Sequence, residues 1–470
     1  MRFKILHTND VHSRFENFAK ASKMIKKLKD ENTLVLDAGD FNDFMRLELQ
    51  GTNGQAGAEL ISAAGYDAIS IGNNEGFAGI EPCEILAASG STPFLSCNIY
   101  KFEQFKDEFT KEDLIALNAV KRSIVIEKSG VRFLIIGASP FGTMNQFLIL
   151  SNMFATDPRE EIKKEIETNK DKYDICILLS HCGIKFDMEI ASEIEGIDII
   201  IGGHSHTLMD KAERVGNTLI HQSGCFAEQL GVLEFQVNNS EIVNFSSENI
   251  KLQDIEEDEN IINVLKRNKE KAIVNLSKPL YEIKESLWND IVEENPISNL
   301  LADALKDVLE CEIGLINSGV LNGGIKKGPV SKKKLLEICP SPLNPTYMEI
   351  KGKHLREAFQ NSLDADFCMQ DGKGPGFRGK YLGRLHLSGG VIEYKDRKVS
   401  SILINGRPLE DERMYTVATS DYLQRGTGYE SLSNNKNRRY NEEYLRDTLR
   451  EYLCKDEFIT IAFEDRWKRK

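Results

Sequence analysis

The chain has 470 residues, more than one ordinary core accommodates, so two or three domains are expected. Hydrophobic residues make up 41% and charged residues 28%, the balance of a globular protein. The net charge of −13 argues against a DNA or RNA polymer as main partner, because a phosphate backbone requires a basic surface; a small phosphate ligand held by local cations or metals stays open.

The sequence opens directly on a strand and turn, "MRFKILHTND", without the charged and apolar regions of a leader. No apolar run approaches the ~18 residues of a membrane span. A cytoplasmic location and no membrane partner are therefore expected. The nine cysteines are scattered and include no CxxC pair, which reads as free buried thiols in a reducing compartment.

In chain order, the apolar runs "FKIL", "TLVLD", "DAISIG", "TPFLSCN", "VRFLIIGAS", "YDICILLS" and "GIDIIIGG" read as buried strands. Helical patterns such as "FAKASKMIKKLKDEN" and "DPREEIKKEIETNKDK" lie between them. This rhythm implies sheets covered by helices. "GNTLIHQSG" and "LGVLEFQVNNSEIVNF" add strands, and residues 251–275 read as a linking helix. The second half opens on the well-patterned helix "NPISNLLADALKDVLE", with Pro296 near its start. Glycine-rich and strand-like segments follow. The expected boundaries are 1–250, 251–275 and 276–470.

Polar residues follow five of the strands. Asp10 and His12 come after "FKILHTN", Asp40 after "TLVLDAG" and Asn73 after "DAISIG". His181 comes after "ICILLS", and His204 and His206 after "IDIIIGG". Four of the eight histidines belong to this set. The carboxyl ends of strands are where α/β sheets build sites. Imidazole, carboxylate and carboxamide without thiolate suit Mn, Zn, Fe or Co. Seven ligands exceed one tetrahedral site and match two divalent metal ions sharing a carboxylate. His7 and His221 are read as structural, and Asp37 as a turn anchor.

The blocks "ILHTNDVH", "DAGD", "IGNNE", "LLSHCG" and "IIIGGHSH" resemble the signature blocks of calcineurin-like metallophosphoesterases. With the second half they resemble the 5′-nucleotidase/UDP-sugar hydrolase family over nearly the whole chain. The resemblance implies a four-layer αββα sandwich followed by an α+β substrate domain, with the site in the cleft between them. It further implies that Asp10, His12 and His206 bind one metal, Asn73, His181 and His204 the other, and that Asp40 bridges. The third block departs from the family. A histidine and an aspartate that assist the leaving group are replaced by Asn74 and Phe77. An amide can donate a hydrogen bond to a phosphoryl oxygen but cannot deliver a proton. Leaving groups that need little protonation, as in a pyrophosphate bond, should suffer least.

In the second half, "INSGVLNGGIKKG" resembles a phosphate-gripping block with Asn322 at its arginine position and Lys326 and Lys327 nearby. Tyr422 in "YTVATSDYLQRGTGYE" and Phe377 in "GPGFRGK" are expected to sandwich a base, with Arg378 beside phosphate. The sequence thus reads as a dinuclear phosphohydrolase acting on nucleotides, nucleotide sugars or cyclic nucleotides. The rival reading is a silent nucleotide-binding or sensing protein.

Overall fold

The computed structural model describes every residue except Met45, Asp107 and Pro375, the last inside the glycine-rich segment around Phe377. The chain divides into two compact units, Met1–Asn275 and Leu276–Lys470.

Two six-stranded sheets form the first unit. In one, Arg2–Thr8, Thr33–Asp37, Ala68–Ser70 and Phe94–Leu95 run parallel, and Gln229–Asn238 and Glu241–Lys251 extend it antiparallel. In the other, Thr218–His221, Ile199–Gly202, Ile175–Ser180 and Val131–Ala138 are parallel between antiparallel edges Glu213–Val215 and Ser123–Lys128. Thr33–Asp37 and Ile175–Ser180 are buried at every residue, as continuous apolar runs covered on both faces must be.

Side-chain alternation assigns the layers. Phe3, Ile5, Leu34 and Leu36 meet Phe133, Ile135, Ile177, Leu179 and Ile199 between the sheets. Leu6 and Val35 point the other way, toward the helices Phe15–Leu28 and Gln55–Ala64. Ile162, Phe186 and Ile190, on the helices Pro158–Thr168 and Ile184–Glu193, cover the second sheet. The order is helix, sheet, sheet, helix, as the sequence implies.

Two features add to the sequence reading. Ile99–Lys101, Ile115–Ala116 and Met153–Ala155 form a small third sheet. The segment read as a linking helix is helical over Glu259–Leu276 and packs on the first unit. Ile261, Val264 and Leu265 join its helix-layer core. Arg267 and Asn268 bond Glu59 at 2.6 and 2.8 Å. A Cβ on Gly51 would lie 2.4 Å from Ala272, so only glycine admits so close an approach.

The second unit is α+β. Its five-stranded sheet runs in the order Leu385–Ser388, Ile313–Asn317, Met414–Ser420, Pro345–Lys351, Asn435–Tyr440. Helix Pro296–Val308 packs on it. Asn295 caps that helix by accepting from the Ser298 N–H at 3.1 Å, and Pro296 sits at its first turn, where no backbone donor is missed.

His386 is fully buried in this unit. Its Nε2 accepts from the Asn295 N–H at 3.1 Å, and its Nδ1–H donates to the Arg384 carbonyl at 3.1 Å. Burial, and then the Arg384 charge, lower its pKa to about 3. The unfolded chain takes that proton near pH 6.5. Stability is therefore full above about pH 6.5 and is lost as pH falls toward 3, by at most about 1.4 kcal/mol per pH unit. His386→Gln should make the unfolding free energy less steep between these pH values. Equal slopes in denaturant titrations of the two proteins would contradict the assignment.

Candidate metal centre

Thr8, Asp37 and Ser70 end parallel strands of the first sheet, and Ser180 and Gly202 end parallel strands of the second. The seven side chains singled out from the sequence follow these ends, and they converge. Asp10 Oδ1 lies 3.3 Å from His206 Nε2, 3.7 Å from His181 Nε2 and 3.8 Å from His12 Nε2. Asp40 Oδ2 lies 3.3 Å from His181 Nε2 and 3.8 Å from His12 Nε2. His204 Nδ1 is 2.9 Å from Asn73 Oδ1. Asp10, His12 and His206 can hold one ion, and Asp10, Asp40 and His181 another.

Backbone geometry marks the same residues. Asp10, His12, Asp40, His204 and His206, five of the seven, have positive φ between 47° and 72°. Non-glycine residues rarely accept this region, and such strain gathers at functional sites. Gly72 is needed for a different reason: a Cβ there would stand 2.1 Å from Asp40 Oδ1.

The donor set fits a cation. His181 is fully buried, and its Nδ1–H donates to the Ala38 carbonyl at 2.7 Å. That leaves Nε2, which has no hydrogen-bond partner, facing two carboxylates and free to ligate a cation once deprotonated. This is the tautomer that a metal-ligating imidazole needs. The Nε2 atoms of His12 and His206 face each other at 3.1 Å on the far side of Asp10. Burial alone would lower the pKa of His181, but the charges of Asp40 and Asp10 hold it at about 10. A bond to Asp10, then one to Cys225, raises His206 to about 10. Burial and, in the case of His204, the neighbouring His181 keep His12 and His204 low. Asp40, despite its burial, is held below the carboxylate range by His181 and His12. The carboxylates favour positive charge on His181 and His206, charge that a bound cation would supply in place of those protons, while His12 and His204 stay neutral.

Several supports were not legible from the sequence. Glu75 is fully buried and accepts backbone N–H groups of Asp40 at 3.2 Å, Asn42 at 2.9 Å and Gly72 at 3.0 Å. It ties the loop of Asp40 to the loop of Asn73. Burial and the Asp40 charge push its pKa up to about 7. Asn9 donates to Asp10 Oδ2 at 2.7 Å and accepts from Ser223 at 2.9 and 3.0 Å. His7 and His221 are a buried pair joined at 2.8 Å between the sheets.

Asn74 lies against Asp40. Its N–H donates to Asp40 Oδ1 at 2.8 Å and its Nδ2 to Asp40 Oδ2 at 2.6 Å. Both Asp40 oxygens are thus held by one residue. Phe77 packs edge-on against Phe147, with ring centroids 5.8 Å apart.

The expected base sandwich is closed on itself. Phe377 and Tyr422 stack on each other, with centroids 4.5 Å apart and planes at 24°, inside the core of the second unit. No base fits between rings at that spacing, because the ring packing that would hold it is already made. Asn322 and Arg378 are exposed, the latter donating to the Phe377 carbonyl at 3.3 Å.

Comparison with known proteins agrees with this fold. The family model for calcineurin-like phosphoesterases matches residues 3–208, and that for the 5′-nucleotidase C-terminal domain matches residues 273–433. An uncharacterized metallophosphoesterase of Bacillus subtilis, YunD, is 29% identical over 95% of this chain and 98% of its own length. A 5′-nucleotidase of Mus musculus is 23% identical over 99% of this chain and 90% of its own. The solved structure of an NAD nucleotidase of Haemophilus influenzae shares the fold, with a TM-score of 0.65 at 16% identity over 100% of this chain and 99% of that one. Among the described residues no helix is long and apolar enough to cross a membrane. The chain belongs to the calcineurin-like phosphoesterases with a 5′-nucleotidase C-terminal domain, and is a metal-dependent phosphoric ester hydrolase.

Proposed function

We propose that the first unit holds two divalent cations and hydrolyses phosphate esters or anhydrides of nucleotides or nucleotide derivatives. The observation that carries this reading is the convergence of four imidazoles, two carboxylates and a carboxamide from five strand ends. Asp10, His12 and His206 would hold one ion, Asn73, His181 and His204 the other, with Asp40 shared. The absence of thiolate from this set favours Mn, Zn, Fe or Co. Divalent cations held there would polarise a phosphoryl oxygen and acidify a nearby water.

The chain's own groups fix the rest of the chemistry. Asp10 and Asp40 offset cation charge. Asn74 acts as an orienting residue: its backbone N–H and its amide Nδ2 engage the two Asp40 oxygens, and Nδ2 also lies 3.2 Å from His12 Nδ1. Neither Asn74 nor Phe77 can protonate a departing oxygen. Leaving groups that are stable as anions, such as the phosphate of a pyrophosphate bond, are therefore favoured over alkoxides. In the second unit the exposed Asn322 and Arg378 are proposed substrate contacts, and Phe377 and Tyr422 would meet a base only after their stack opens.

The test of the function is phosphate release, with Mn²⁺ supplied, from a panel of nucleoside monophosphates, nucleoside diphosphates, nucleotide sugars and cyclic nucleotides. Turnover of at least one class is expected, and inactivity toward all of them would overturn the reading. Asp40→Asn should lower the affinity for both ions together, as read by equilibrium dialysis. Two tightly held ions in that variant would remove Asp40 from its shared position. Asn74→Ala should slow turnover roughly tenfold, the effect of one hydrogen bond to a charged group, by the same factor for aryl and alkyl phosphates. A loss that grows with the basicity of the leaving oxygen would instead make this position a proton donor.

A further inference from the structure

Arg14 is a cation that the fold itself does not account for. It is exposed, two residues past His12, at the N-cap of the helix Phe15–Leu28. A helix N-terminus carries partial positive charge and disfavours a cation. The Arg14 side chain makes no capping bond, and among the described residues no carboxylate pairs with it. The acid nearest in sequence, Glu16, is held instead by both terminal nitrogens of Arg46 at 2.6 and 3.2 Å.

What holds Arg14 is an aromatic ring. Its guanidinium lies 5.3 Å from the centroid of Phe226. That ring in turn packs edge-on against His12 and His206, with centroids 5.7 and 5.6 Å away. Phe226 is set in place by a left-handed backbone, with φ of 61°. Its N–H donates to the Asp10 carbonyl at 2.7 Å, and its own carbonyl accepts from Asn17 at 2.9 Å. A strained residue thus separates the metal centre from a guanidinium by the width of one ring. A planar guanidinium matches phosphate with two parallel hydrogen bonds. One ring away is too far for the phosphoryl group that meets the cluster itself. It is the place for a second anionic group of the same substrate.

We propose that Arg14 binds the non-reacting phosphate of a substrate with a pyrophosphate bond. The inference rests on the phosphohydrolase reading above. In the reaction the oxygen of water bonds to the attacked phosphorus, and the bridging P–O bond breaks. The leaving phosphate keeps the bridging oxygen and its electron pair. One proton of the water goes to solvent, and the other stays on the phosphate formed. No donor is needed at Asn74, and Arg14 faces the charge that the leaving phosphate gains.

The test compares the Mn²⁺-loaded wild-type chain with Arg14→Ala and Arg14→Lys. Steady-state kinetics are measured on a nucleoside diphosphate and on the matching monophosphate. Calorimetry measures binding of the methylene-bridged diphosphate analogue. Arg14→Ala should raise KM for the diphosphate, and weaken the analogue, by about tenfold or more, the effect of losing charge-assisted bonds. The monophosphate KM should stay nearly constant, and Arg14→Lys should fall between. Equal effects on both substrates, or none, in an active wild-type enzyme would overturn the role of Arg14 alone. An equal loss accompanied by a fall in Tm would assign it to packing of Phe226 and overturn it as well. A wild-type chain that hydrolyses neither substrate nor any other phosphate compound would overturn the underlying reading instead.

Discussion

The Asp40 carboxylate is the constraint on which the site is built. Asn74 holds both of its oxygens, Glu75 accepts its N–H, and its carbonyl accepts the N–H of His12. His181 and His12 face it with imidazole nitrogens. One buried negative charge therefore joins loops from three strands of the first sheet to one strand of the second. Buried charge without compensation is costly. The surrounding donors and the cluster's affinity for cations are the compensation, so folding of the two sheets and assembly of the centre are physically one problem.

The strain at this edge follows from the same demand. Strands of two sheets deliver their ends along different directions, and the side chains must still meet within a few ångströms. Left-handed turns at Asp10, His12, Asp40, His204 and His206 redirect the chain sharply enough to achieve this. Glu75 and Asn9 lock the turns by satisfying backbone and side-chain groups that would otherwise be buried unpaired. A centre held in this way is preorganised for a ligand, because the turns that carry its side chains are already fixed by these hydrogen bonds.

The layered fold and the seven converging residues were legible because both rest on local pattern. Fully apolar runs mark buried strands, and polar residues directly after them mark the sheet edge. Other features depend on contacts between distant segments and leave no such pattern. Glu75 works through backbone N–H groups, which every residue but proline carries. The helix Glu259–Leu276 looks like a linker until Ala272 meets Gly51. The strands Ile115–Ala116 and Ile99–Lys101 are too short to show alternation. Phe377 and Tyr422 could be placed as a pair of rings, but whether they face a ligand or each other is decided by packing across the second unit. Asn74 could be recognised as a non-acid, yet its bond to Asp40 depends on how closely Gly72 lets the two loops approach.

The most direct measurement is a titration of the metal-free chain with Mn²⁺, followed by electron paramagnetic resonance. Two ions per chain with magnetically coupled signals are expected, since Asp40 would be shared between them. A single ion at saturation, or two ions without coupling, would contradict that sharing.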